Sequence, residues 1–408
     1  VNPSASLFGR IGVGHVVGAT AFLILPACVL SVPFAAPLLV AAAVFTLVLQ
    51  RVRDGRWPRP PLLLSALLAI LVVYGAFSSL WSVDAVLSLK LAAQLAGLFA
   101  AGLVLCDAGA RLDDAARTFA ERAFLLGFCL GVAFLIYEQW SGAAVDVFLR
   151  HLAPVEALFG AERPIGLWSH FNRVETLVGL LVWPAAAIAG RRNGWLALAL
   201  VLAAAIPVMI GFSATAQVAY VAGAVVYGAA RLRPRFAPAV VGALVVLDLV
   251  LAPVLMHSEF LGRIGALLPK YKLISLDQRL DIWNFAIEKI RERPILGWGL
   301  NSSRDLPGGH RLVARNAEVM PLHPHDMALQ LRLELGLPGL LLGIAIVLAL
   351  SAGAARARGV GARAATVAVI AAAATNSLTG YDLWHPWWLS FLWLAAAVGN
   401  ATERGPSA

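Results

Sequence analysis

The residues best suited to chemistry stand in one run, His323-Pro324-His325-Asp326-Met327-Ala328-Leu329-Gln330-Leu331-Arg332-Leu333-Glu334-Leu335-Gly336. Two imidazoles, two carboxylates, an amide and a guanidinium stand just before the apolar stretch from Leu340 to Leu350. Imidazole is the commonest side-chain base near neutral pH, so the run suggests removal of a proton from a hydroxyl. Pro324 suits the first turn of a helix, where its missing N–H is not needed. A helix beginning there would bring His323, Asp326 or Met327, Gln330 and Glu334 onto one face. It would also put His325 in the first turn, where the positive end of the helix dipole keeps an imidazole neutral. The alternative is that both histidines are caps at a lipid headgroup layer. Asp326 or Glu334 could orient an imidazole.

The composition determines what kind of element holds these residues. Hydrophobic residues make up 60% and charged residues 13% of the chain, against roughly 25% charged in a soluble domain. Mean hydropathy is +0.80. The fold class expected is all-α: a polytopic membrane protein with about 12 spans, each near the length that crosses the hydrocarbon core. Long continuous apolar runs exclude a β-barrel, whose strands would alternate. The first apolar run is followed closely by another and lacks a small-residue cleavage pattern, so it reads as a span. The net charge of +9 does not point to nucleic acid, because the arginines are spread over short loops between spans. They cluster at Arg51/Arg53/Arg56/Arg59, Arg111/Arg117, Arg191/Arg192, Arg231/Arg233/Arg235 and Arg356/Arg358/Arg363. By the positive-inside rule those loops and both termini are cytoplasmic.

Three regions follow: 1–256, a first bundle of about nine spans with a smaller periplasmic loop near 141–172; 257–334, a large periplasmic loop; and 335–408, the last three spans with a short tail. The large loop is longer than a connection needs, and its excess of basic residues calls for an anionic partner. Within it, Ser275-Leu276-Asp277-Gln278-Arg279 reads as a helix start with acids in the first turn. Ile282, Phe285, Ala286 and Ile290 recur at helical spacing, and Pro294 ends the run. Residues 302–322 look irregular. Asp248 is a lone acid in an apolar run, read as a helix–helix hydrogen bond. Trp384, Trp387 and Trp388, with His385, read as an interfacial aromatic belt.

Several stretches resemble the O-antigen ligase and polymerase superfamily, and within it the ligases. Arg279 with Trp283, followed by Pro294 and Gly297-Trp298-Gly299-Leu300-Asn301, is similar to the superfamily's Arg-x-x-x-aromatic helix and its Pro…Gly-x-Gly turn. His325 with Gly336 and Gly339 resembles the ligases' His-x10-Gly signature. Arg163-Pro164-Ile165-Gly166…Asn172 resembles an earlier stretch that enters a span. The sequence departs from the pattern twice: Asp326 stands where Asn usually follows the signature His, and Ser213-Ala214-Thr215-Ala216-Gln217 lacks an arginine many members carry. The resemblance implies a GT-C type membrane glycosyltransferase in the inner membrane, with its site facing the periplasm. It would move a glycan from undecaprenyl diphosphate to a sugar hydroxyl of lipid A-core, inverting the anomeric centre without metal or cofactor. Its partners would be the two lipid-borne substrates and the surrounding membrane lipids.

Such a reaction needs the departing diphosphate neutralised by a metal or by guanidinium groups. Asp277 and Asp281 are spaced for one helix face, where a cap and a solvated acid account for both. Arginine binds two phosphate oxygens at once through its planar fork. Arg279 and Arg163 are the first candidates, with Arg263, Arg304, Arg311 and Arg315 behind them. His325 or His323 would be the base, supported by Asp326, Gln330, Glu334 and Trp283. His257 and His310 have no motif around them and read as exposed. An O-antigen polymerase or a protein O-glycosyltransferase would share the donor chemistry. A transporter is disfavoured by the missing half-repeat and the scarcity of intramembrane charge.

Overall fold

The computed structural model describes residues 12–152, 167–256, 270–313 and 317–403. Within them the chain forms helices almost throughout. They are α1 (Val13–Leu30), α2 (Ala35–Arg53), α3 (Leu62–Phe77), α4 (Ala85–Ala110), α5 (Asp114–Ser141), α6 (Ala144–Leu152) and α7 (Leu167–Gly190). Then follow α8 (Gly194–Ile210), α9 (Ala214–Leu232), α10 (Ala237–Leu255), α11 (Lys270–Glu292), α12 (Met327–Arg356), α13 (Val360–Thr379) and α14 (Pro386–Thr402). Short polar residues set several starts. Asp84, Asp113, Asn193 and Ser213 accept from the amides of Leu87, Ala116, Trp195 and Ala216 at 2.9, 2.8, 2.8 and 3.1 Å, supplying partners for N–H groups the helix leaves open. Gly142, at φ +70°, closes α5 in the left-handed conformation that favours glycine.

The chain is an all-α polytopic membrane protein. Among the described residues, eight helices are long and apolar enough to cross a membrane: α1, α2, α3, α4, α5, α7, α10 and α12. Contacts divide the bundle into two ends. At one end Arg117 donates to the carbonyls of Asn400, Ala401 and Glu403, Arg191 to that of Thr402, and Arg111 to that of Arg59. The arginine-rich turns therefore gather with the last turn of α14. At the other end Ser88 Oγ donates to Leu300 O, Thr215 Oγ1 to Thr379 O, and Gln139 Nε2 to Pro207 O. The histidine run lies at that second end, where His325 Nδ1 approaches Gly380 O beside Thr379.

Five expectations change. α12 does not start at Pro324; its N-cap is Asp326, and the helix runs from Met327 without waiting for residue 335. The side chains of Ala328–Leu331 and Leu333–Leu335 are all buried, so packing extends the helix below the apolar run. α11 begins at Lys270, before the expected start, and has no acid in its first turn; its core face is as read, with Ile282, Phe285, Ala286 and Ile290 buried. The stretch read as irregular holds a 3-10 turn at Ser303–Asp305 and a two-residue antiparallel ladder, Leu312–Val313 against Ala317–Glu318. The tryptophans are not a headgroup belt, for Trp384, Trp387 and Trp388 are 3, 4 and 0% exposed. Their rings pack inward, Trp387 edge-on against Tyr381 and Phe391. Asp248 makes no helix–helix bond through its buried Oδ2.

Candidate active site at the kink of α12

The site rests on a glycine contact. Gly336 breaks α12 at φ +62° and ψ −148°, in a region costly for residues with a Cβ. Gly297, at φ +70°, lies against it, and a Cβ there would stand 2.5 Å from Glu334 O and 2.6 Å from Gly336 N. A Cβ on Gly336 would in turn collide with Ile295 O. Main chain thus meets main chain, and hydrogen bonds fill the contact: Trp298 N to Leu333 O at 2.9 Å, Gly299 N to Glu334 O at 2.8 Å and Leu337 N to Ile295 O at 3.0 Å. The turn following α11 supplies donors to carbonyls the kink has released.

Glu334 is the polar hub of that joint. It is 1% exposed. Its Oε2 accepts from Asn301 N and Trp384 Nε1, both at 2.7 Å, and its Oε1 from Ser303 Oγ at 2.5 Å and Gln330 Nε2 at 3.3 Å. Gln330 also donates to Asp382 Oδ1 at 2.7 Å and accepts from Leu383 N at 3.0 Å. Both side chains are consumed in joining α12, the 297–303 turn and the loop before α14. Neither Glu334 nor Asp326 orients an imidazole: Asp326 is fully buried and its Oδ1 caps Leu329 N at 2.9 Å. Burial pushes the Asp326 carboxyl up to about 7, against the pull of the Leu329 amide and Arg279.

The two histidines precede the helix rather than sitting in its first turn. His325 takes φ +56°, a strained setting for a residue with a side chain. Trp283 anchors the segment by donating Nε1 to Pro324 O at 2.8 Å. His325 Nδ1 lies 2.7 Å from Gly380 O. A carbonyl oxygen only accepts, so Nδ1 carries the proton and the neutral ring presents the Nε2 lone pair. His323 has the opposite tautomer when neutral, because its Nδ1 accepts from His325 N at 3.1 Å. The ring centroids are 4.1 Å apart. His323 is 7% exposed, and burial, aided by His325, Arg304, His385 and Arg279, drives it down to about 2. Burial lowers His325 too; the bond to Gly380 opposes the shift, Arg279 adds to it and Asp382 opposes it. Both imidazoles are therefore neutral near pH 7, but only His325 offers a lone pair outside the protein's own hydrogen bonds.

Arg279 reaches this centre from α11. Its guanidinium donates to Thr379 O, the residue before Gly380. Burial lowers it while Asp326 holds it charged. Arg304 acts electrostatically on both His323 and His385. Arg311 is exposed just before the short β ladder, and beside it His310 Nδ1 lies 3.3 Å from Glu318 Oε1. Arg163, Arg263, Arg315 and His257 lie outside the described residues; of the three described arginines named from sequence, Arg279 and Arg304 are brought to the histidines and Arg311 is not.

Sequence reasoning missed Arg173, Gly380, Tyr381 and Asp382, and set His385 aside with the tryptophans. Arg173 lies 5.1 Å from the Trp387 ring centroid in a cation–π contact. Tyr381 hydroxyl lies 3.0 Å from Thr176 Oγ1 and donates to Asn172 O at 3.1 Å. His385 is lowered to about 4 by burial and by Arg173 and Arg304, against Asp382. The signal was the polar run Asn376 to Asp382 between two apolar stretches, which marks a span end carrying more than a loop.

A half-buried arginine, a neutral imidazole with one available lone pair and a second arginine nearby can remove a hydroxyl proton and hold a phosphate at one place. Comparison with known proteins bears on that chemistry. Residues 197–344 match the family model described as O-Antigen ligase. A protein of Rickettsia conorii provisionally named a polysaccharide ligase is 33% identical over 120 residues, 28% of this chain and 29% of that one. One of Rickettsia prowazekii with the same provisional name is 34% identical over 125 residues, 29% of this chain and 31% of that one. The chain thus matches about three tenths of the length of these relatives. Arg279, His323, His325, Glu334 and both kink glycines fall inside the matched stretch. Residues 197–344 are therefore similar to the O-antigen ligase family over the stretch that carries this site.

Proposed function

We propose that this protein transfers a glycan from undecaprenyl diphosphate to a sugar hydroxyl of lipid A-core, with its site facing the periplasm of the inner membrane. The observation that carries the proposal is the His325 tautomer: Nδ1–H on Gly380 O leaves Nε2 to take the acceptor's proton. The hydroxyl oxygen attacks the anomeric carbon from the face opposite the diphosphate. The new glycosidic bond forms as the bond to the diphosphate oxygen breaks, and that oxygen leaves with the electron pair. The proton passes to Nε2. Arg279 and Arg304 offset the charge growing on the leaving group. Arg163, Arg263, Arg311 and Arg315 remain candidates for the same anion. The family match and the relatives' names support a ligase acting on polysaccharide. The arginine-rich end of the bundle supports the orientation, since basic loops stay cytoplasmic.

Stabilisation by guanidinium predicts independence from divalent metal. Among the described residues no three His, Cys, Asp or Glu side chains converge as a metal-binding group. Purified protein given lipid-linked glycan and lipid A-core should form the joined product, and with the same yield in EDTA. Activity lost in EDTA and restored by magnesium or manganese would contradict the arginine account. Consumption of donor with no need for lipid A-core would point to a polymerase instead.

A further inference from the structure

We propose that the turn after α11, though part of no span, sets Ile295 and Leu296 into the membrane leaflet at the histidine end of the bundle, where acyl chains cover them. α11 ends at Glu292 and α12 begins at Met327. Between them Ile295 and Leu296 are 65 and 48% exposed, two adjacent large aliphatic side chains with no protein cover. Arg291, Glu292 and Arg293 stand exposed just before them. Charge followed directly by bare apolar surface is the pattern of a segment lying at a membrane interface.

The depth of the turn follows from what it is bonded to. Ile295 O accepts from Leu337 N at 3.0 Å. From Leu337 to Arg356, α12 runs for about 20 residues, or about 30 Å, which is the thickness of the hydrocarbon core. Just past its far end, Arg358 N donates to Glu403 Oε1 in the basic end of the bundle. Leu337 therefore marks the opposite edge of the hydrocarbon, and Ile295 lies level with it. The neighbouring span agrees. It runs Leu62–Leu80, and its end is tied to the same turn by Leu300 N donating to Ser78 Oγ at 2.9 Å and Arg293 Nη1 to Trp81 O at 3.4 Å. Phe77, Leu80 and Leu337 are exposed there too, so the pair continues the lipid-facing surface of two spans. Lipid that holds the two side chains also holds Ile295 O in its bond to Leu337, and so braces the joint at Gly336.

The test is photolabelling of the unaltered full chain in nanodiscs of phosphatidylcholine that carries a diazirine on its acyl chain, with adducts located by peptide mass spectrometry. Adducts should fall on Ile295 and Leu296 as they do on Leu341, an exposed residue one turn further into the span, and not on Arg311. A water-soluble diazirine should show the reverse, marking Arg311 and sparing the pair. Ile295→Ser with Leu296→Ser should open the turn to the water-soluble reagent. Acyl-chain adducts on Leu341 with none on Ile295 or Leu296 would overturn the proposal. So would water-soluble labelling of the pair as strong as that of Arg311. A pair spared by both reagents would overturn it as well and would make a second copy of the chain the cover.

Discussion

At the scale of single residues, two adjacent imidazoles are separated by what their Nδ1 atoms touch. His325 Nδ1–H donates a hydrogen bond to Gly380 O, and His323 Nδ1 accepts one from the His325 amide. The sequence named both as candidates but placed them by helix geometry, and the helix begins later than Pro324 suggested. The dipole argument for a neutral His325 therefore gives way to burial and a nearby guanidinium. Arg279 was legible from its motif, whereas Arg173 and His385 were not, because their partners come from distant segments. Arg279 touches Thr379, one residue from the carbonyl that orients His325. Arg279→Lys keeps the charge and loses the two-pronged fork. It should lower ligation by at least about tenfold, a loss of about 1.4 kcal/mol, in an assay of lipid-linked donor turnover. An Arg279→Ala enzyme with unaltered turnover would remove this residue from the account.

At the scale of elements, the glycines of the two sequence motifs belong to one joint. Gly297 and Gly336 stand 39 residues apart in the chain and meet backbone to backbone where α12 kinks. The spacing from His325 to Gly336 is thus the length of helix between the histidine segment and the break. Periodicity located the helices well, since burial on one face repeats along them. It could not locate the kink, because a left-handed glycine inside an apolar helix leaves no mark on hydropathy. Gly336→Ala must put a Cβ against Ile295 O in a near glycine-only conformation that costs an L residue about 1–3 kcal/mol even without a clash. Its thermal unfolding midpoint in detergent should fall well below that of Gly343→Ala on the same helix, where a Cβ meets only the ends of leucine side chains. Equal midpoints would mean that the joint is not the constraint described.

At the scale of the whole molecule, the bundle has a basic end and a reactive end. Apolar run lengths and arginine clusters made the membrane character and this polarity readable before any coordinates. The inward turn of Trp384, Trp387 and Trp388 was not readable, since aromatic residues at a span end look alike whether they face headgroups or a packed site. Arg233 lies at the C-cap of α9, on the basic end, and Asn301 lies on the turn that docks on Glu334. Activity-based topology reporters fused after these residues should give opposite readings, cytoplasmic at Arg233 and periplasmic at Asn301. Matching readings would overturn the proposed orientation.

The most direct test of the account compares His325→Ala with His323→Ala in one preparation, with ligation rate and lipid-linked donor binding both measured. A general base contributes roughly 10²–10⁴-fold in rate. His325→Ala should lose ligation by about that factor while donor binding stays intact, and His323→Ala should be milder. Unaltered turnover by His325→Ala, or a larger loss from His323→Ala, would contradict the assignment of His325 as the base.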